Sequence, residues 1–219
     1  IGTISNTQSV TVYFTYSESN ETLIGQKHQS VGGFVGRASG NTNMQLHFRE
    51  CSVEYPMSKI NNGNYHIYHG GFVGQIENNT NVILSIEDLH SKGNTTTYHY
   101  CYMGGFAGSI ENNDNFTLSV NTLEIDTDVY VENYDSPKCV GGFTGALINN
   151  THSTVQVSGF LNRNFVFSQT KSYCGGFVGY AGDDQDMTFI FDTFNTSMII
   201  DFSNADGSYY NGGVFGYMK

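Results

Sequence analysis

The chain has no tryptophan, two prolines, and only nine lysines and arginines among its 219 residues. Nine cations without a cluster cannot build the basic patch that follows phosphates, and the formal net charge is -11. Nucleic acid and anionic membrane surfaces are therefore not expected partners. No apolar run approaches the roughly 18 residues of a membrane helix, so no membrane insertion is expected. A charged, apolar, then small signal-peptide pattern is lacking, as is an initiator methionine. A start at Ile1 reads as a processed protein or a segment of a longer one. The scarcity of proline, with 26 glycines, 15 tyrosines and 16 phenylalanines, favours strands and turns over helix or disorder.

What is present is one phrase written six times. "VGGFVG", "HGGFVG", "MGGFAG", "VGGFTG", "CGGFVG" and "NGGVFG" have their first glycines at Gly32, Gly70, Gly104, Gly141, Gly175 and Gly212. Their second glycines are Gly33, Gly71, Gly105, Gly142, Gly176 and Gly213, and their last are Gly36, Gly74, Gly108, Gly145, Gly179 and Gly216. The gaps between first glycines are 38, 34, 37, 34 and 37 residues, so long and short units alternate. Twelve, fourteen and sixteen residues past each first glycine, one face is apolar: Met44, Leu46 and Phe48, then Val82, Leu84 and Ile86, then Phe116, Leu118 and Val120. Alternation of that kind is strand periodicity. A further inward position follows at nineteen: Cys51, Leu89, Leu123, Phe160 and Phe194. The opening "IGTISN" matches "VGQIEN" at Val73, so the chain begins and ends inside the motif.

Self-similarity at this period means stacked units, each too small to bury its own apolar face. The expected fold is all-β: a single parallel β-solenoid domain of about six coils over 1–219, with units near 1–31, 32–69, 70–103, 104–140, 141–174, 175–211 and 212–219. Corner glycines supply a bend and a close approach that a Cβ would block. The phenylalanines between them, Phe34, Phe72, Phe106, Phe143 and Phe177, should stack inward. The alternative is a six-bladed β-propeller, which needs four strands per blade where most units offer two or three.

The glycine words resemble GLUG-type and related "GGxxG" repeats, which look like β-solenoid stalks or adhesins of large secreted and surface proteins. The resemblance covers the whole chain as five full words and two partial ones. These units carry Phe where that family usually shows Leu, and they are longer. The resemblance implies an extracellular structural or adhesive role, with no catalytic residue to carry over.

Polar turns begin eight residues past four of the first glycines: "NNTN" at Asn78, "NNDN" at Asn112, "NNTH" at Asn149 and "DDQD" at Asp183. Stacked turn asparagines can hydrogen-bond along a solenoid as a ladder. Asp183, Asp184 and Asp186 offer hard oxygen atoms to calcium, without the spacing of an EF-hand or a nonapeptide calcium repeat. His28 and His66 stand four residues before a glycine pair, with His69 near, and form a zinc candidate. Asp126 and Asp128 share a face, the nearest approach to the paired carboxylates of a polysaccharide-degrading β-helix. No Ser-His-Asp signature, phosphate-cradling loop or CxxC pair occurs. No enzyme activity, cofactor or resident metal is expected.

Six N-x-Ser/Thr sequons, at Asn20, Asn78, Asn94, Asn115, Asn149 and Asn195, point to a secreted glycoprotein carrying N-linked glycans. Cys101, Cys139 and Cys174 lie three, two and one residues before consecutive glycine pairs. Stacking would bring neighbours near the roughly 5.5 Å Cα separation that a disulfide prefers, so a Cys101–Cys139 or Cys139–Cys174 bridge is expected. Cys51 reads as a buried thiol. The sequence as a whole reads as an extracellular rod, filament subunit or adhesin stalk, on the cell surface or beyond it, whose partner is itself, head to tail or in a longer covalent solenoid. The runner-up is a carbohydrate-binding or polysaccharide-degrading β-helix.

Overall fold

Each repeat makes one coil, and the three straight runs of a coil pair with their copies in the next. The structure is a computed structural model that describes residues 1–20, 29–60, 67–97, 101–131, 138–163, 165–168, 172–197, 199–201 and 209–219. Among these residues every regular element is a strand and every strand pairing is parallel. Three sheets result. The first is built from the strands that end on the first glycine of each word, from Ser30–Gly32 through Cys101–Gly104 to Tyr209–Gly212. The second collects the strands that follow the glycines, from Thr3–Ser5 through Val73–Glu77 to Phe215–Met218. The third holds the long apolar alternations, such as Thr42–Ile60, Thr80–Thr97 and Asp114–Val131.

Register joins equivalent positions of successive units. Gly70 pairs with Gly32 and Gly104, and Leu84 pairs with Leu46 and Leu118. This is a parallel β-solenoid. A propeller blade is an antiparallel meander, so the propeller alternative fails on strand direction alone. Register is constant from the glycine pair to the residue twenty-one positions on, as in Val53↔Ser91, and again just before the next pair, as in Tyr68↔Tyr102. The extra residues of the long units fall between those stretches, where a register shift already appears at Tyr55/Ser58.

Apolar burial follows the alternation read from the sequence. Met44, Leu46, Phe48, Val82, Leu84, Ile86, Phe116, Leu118 and Val120 are all buried between the second and third sheets. The jump from position sixteen to nineteen has a local cause. Glu50, Asp88, Thr122 and Gly159, at position eighteen, adopt left-handed backbone with φ of 50, 52, 66 and 82°. That turn resets the alternation and folds the outer part of the third sheet over the first sheet. A second, smaller apolar cluster sits there: Cys101, Met103, Val129, Val140, Val166 and Cys174.

The phenylalanines between the glycines form one column through the core. Phe34, Phe72, Phe106, Phe143 and Phe177 stack with centroid separations of 5.5, 5.5, 5.1 and 4.8 Å, each pair within 19° of parallel. Offset stacking adds about 0.5–1.5 kcal/mol per pair beyond burial. Beside the column runs a ladder of buried amides. Asn41, Asn79, Asn113 and Asn150 each donate Nδ2 to the Oδ1 of the next member at 2.9–3.0 Å, ending on Asp184. The other Nδ2 hydrogen of Asn79, Asn113 and Asn150 goes to the carbonyls of Ala38, Ile76 and Ile110. The turn-asparagine ladder expected from the sequence is thus present, formed by the second residue of each turn.

The corner glycines are required for room. The positive-φ glycines among the described residues are Gly40, Gly93 and Gly159, none of them in a glycine word. A Cβ on Gly70, Gly104 or Gly141 would collide with the carbonyl oxygen three residues on, and one on Gly71, Gly105 or Gly142 with the carbonyl of its copy in the next coil. The last glycine of the word, such as Gly108 against the backbone nitrogen of His69, lets the first and second sheets approach backbone to backbone.

Candidate functional site

Side chains that the two apolar clusters do not absorb meet along the seam between the first and second sheets. From the first sheet, the residue two before each glycine pair faces the seam: Ser30, Tyr68, Tyr102, Cys139, Tyr173 and Tyr210, held in register as one column. From the second sheet come Arg37, Gln75 and Ser109, with Glu77 and Glu111 two residues further on. They precede or follow buried positions by one residue, so strand alternation turns them away from the phenylalanine column.

A continuous polar network results at the end nearest Ile1. Ser30 Oγ donates to Gln75 Oε1 at 2.9 Å, and Gln75 Nε2 donates to Glu77 Oε2 at 3.1 Å. Arg37 donates Nε to Glu77 Oε1 at 2.7 Å, with its Nη2 on the same oxygen. Glu77 is buried while the Arg37 side chain stays 49% exposed, so the guanidinium neutralises a carboxylate from the rim. Glu111 is the next carboxylate in the row, in register with Glu77. Burial, and then the Glu77 charge, raise it above the ordinary carboxylate range, against lowering by Ser109 and Gln75. Burial pushes the Tyr68 hydroxyl up to about 12, reinforced by the Glu111 and Glu77 charges.

Aromatic stacking orders the column. Tyr68 and Tyr102 lie 5.3 Å apart at 13°, and Tyr173 and Tyr210 lie 5.4 Å apart at 15°. Around Tyr173 the seam closes into a cluster with Tyr180 and Tyr217. At the opposite end Ser30 carries no ring, and a cleft of about 440 Å³ opens there, lined by Gly2, Thr3, Gln29, Ser30, Arg37, Tyr68, Gln75 and Glu77. The sequence held the signal for this site: a serine and a cysteine, Ser30 and Cys139, in a column of tyrosines at a fixed offset, and polar or charged residues just after the glycine words, Arg37 in one unit and Gln75 with Glu77 in the next.

The other candidates disperse. Asp183 and Asp186 sit in left-handed turns and point outward, Asp183 to Lys219 at 3.0 Å and Asp186 to His152 at 3.7 Å. Asp184 points inward to the amide ladder. The three carboxylates therefore diverge, and no group of three metal-ligating side chains occurs among the described residues. His28 and His66 lie outside the described residues. His69 is fully buried, and burial lowers its pKa to about 4. Asp126 stands in register with Lys92, and Asp128 with Asn94, away from the seam.

The cysteines correct a sequence expectation. All four are buried free thiols, Cys51 among them as expected. Offsets of three, two and one residues put Cys101 and Cys174 in the apolar cluster and Cys139 on the seam face of its strand. Adjacent rungs bring same-offset residues together, and strand alternation turns odd-offset neighbours to opposite faces. The Cys101–Cys139 and Cys139–Cys174 bridges are accordingly not formed. The six sequon asparagines are exposed, with Asn115 and Asn149 also donating Nδ2 to Asn81 at 2.8 Å and Asn112 at 3.2 Å.

No helix among the described residues is long and apolar enough to cross a membrane. Comparison with protein-family models, curated proteins and solved structures finds no match to the chain.

Proposed function

We propose that the chain is an extracellular structural repeat protein: a glycosylated β-solenoid rod that serves as a filament subunit or as the stalk of a surface adhesin, without enzymatic activity. The carrying observation is the pair of axial columns, the phenylalanine stack from Phe34 to Phe177 and the amide ladder from Asn41 to Asp184. Each coil repeats the same interior and couples only to its neighbours, which suits a stiff element of adjustable length. At about 4.8 Å per coil, length scales directly with repeat number. Six exposed sequon asparagines support an outward coat of N-linked glycans.

Self-association is part of the same reading. The outermost rungs leave Val10, Val12 and Phe14 on one side, and Met187, Phe189 and Phe191 on the other, only partly buried. A further coil, covalent or from another copy, would cover these rows and extend the columns. Negative-stain imaging of material from its native source, with intact-glycopeptide mass spectrometry, tests the proposal. Rods or fibres bearing occupied sequons are expected. Compact monomeric particles with every sequon bare would overturn it.

A further inference from the structure

We infer that the cleft beside Ser30 is a binding slot for one neutral pyranose ring, which continues the tyrosine column at the Ser30 rung; the other rung without a ring, Cys139, is buried.

Position comes first. Ser30 is in register with Tyr68, and Tyr68 with Tyr102. One face of Tyr68 is covered by Tyr102 at 5.3 Å. Its other face looks toward the Ser30 rung, where a hydroxymethyl group replaces a phenol and the 440 Å³ cleft opens. That volume lies within the roughly 300–1,000 Å³ of small-ligand sites. A flat ring entering there would stack on Tyr68 as Tyr68 stacks on Tyr102.

Chemistry narrows the ring. The walls are polar: Ser30, Thr3, Gln29, Gln75, Arg37 and Glu77. A purely aromatic ligand would cover these groups without replacing their water, at a cost for each one left unpaired. A pyranose offers an apolar C–H face to Tyr68 and a rim of hydroxyls, each able to donate and accept. Arg37 and Gln75 supply donors at that rim, and Glu77 and Ser30 supply acceptors. An anionic sugar is disfavoured, because Arg37 is already committed to Glu77 and Glu111 adds a second carboxyl nearby.

The sugar can belong to a free polysaccharide or to a glycan on another copy of this chain. The recognition chemistry is the same. The inference stands apart from the rod reading, since a monomer could carry the slot equally well.

Saturation-transfer NMR on the intact chain, with the methyl pyranosides of glucose, galactose, mannose and N-acetylglucosamine as probes, tests it. At least one probe is expected to receive saturation. Ser30→Tyr, which fills the slot with the missing ring, is expected to weaken that probe at least tenfold while leaving the melting temperature unchanged or higher. If Ser30→Tyr does not fold, Arg37→Ala at the half-exposed rim is expected to weaken it at least fivefold. Failure of all four probes to bind the unaltered chain, or unaltered affinity in the folded variant, would overturn the inference. Competition by a neutral polysaccharide against competition by the glycosylated chain then distinguishes the two sources.

Discussion

The side-chain amide of Asn113 donates to Oδ1 of Asn150 at 3.0 Å, with both residues shielded from water. Asn113 also accepts from the backbone nitrogen and Nδ2 of Asn79, at 3.1 and 2.9 Å. Each inner asparagine thus serves two coils at once.

Asn113→Ala removes the acceptor of both Asn79 donors and the donor to the Ile76 carbonyl. A buried group left unpaired costs about 1–3 kcal/mol, so a loss of about 3 kcal/mol or more is expected. Chemical denaturation followed by circular dichroism measures it. The outward Asn112→Gly, which keeps the left-handed backbone of φ 53° and removes the bond from the exposed Asn149, is expected to cost less than about 1 kcal/mol.

Asp184 ends the ladder as an acceptor only, taking bonds from Asn150 N and Nδ2 at 2.7 and 3.0 Å. Burial is the main cause of its raised pKa. A carboxyl that holds its proton more tightly when folded favours the folded state most below its unfolded pKa of 3.8. That contribution is lost as pH rises through the folded value. Asp184→Asn keeps the Oδ1 acceptor without the charge. It is expected to raise the melting temperature at pH 7, by a margin that shrinks as pH falls toward 3.8. A margin independent of pH would reject this account.

The columns were legible in the sequence because every coil repeats them. Phe106 and Asn113 recur at fixed offsets, and an inward position every second residue identifies strands with little ambiguity. The step from Phe48 to Cys51 even marked the left-handed turn at Glu50. What was not legible came from single departures. Ser30 and Cys139 both interrupt the row of tyrosines, and the meaning of Ser30 appears only when the seam brings Gln75 and Arg37 against it. The cysteine pairing failed for a related reason. Offsets of three, two and one look adjacent on paper, whereas strand alternation sends Cys139 to the face opposite Cys101 and Cys174.

Thiol reactivity checks that last point. Burial raises Cys139 well above the ordinary thiol range and Cys174 to about 12, so neither carries a reactive thiolate near neutral pH. Ellman's reagent is expected to find no reactive thiol in the native chain and four after unfolding without reductant. Two after unfolding would mean that a disulfide forms after all.

A matched pair of alanine substitutions separates space from backbone conformation at the glycine corner. Gly142 and Gly213 hold the same place in their words, and neither is among the positive-φ glycines. A Cβ on Gly142 would strike the carbonyl oxygen of Gly176 and the side-chain amide of Asn162, which donates to that same carbonyl at 2.9 Å. Backbone cannot yield there without breaking the rungs on either side. A Cβ on Gly213 meets nothing within 4 Å. If glycine is needed for room, Gly142→Ala should cost more than about 3 kcal/mol, at or beyond the usual upper range for overpacking. Gly213→Ala should then fall within about 0.5 kcal/mol of the unaltered chain, as open surface positions do. Equal losses at both positions in thermal unfolding would show instead that the corner demands a conformation only glycine adopts.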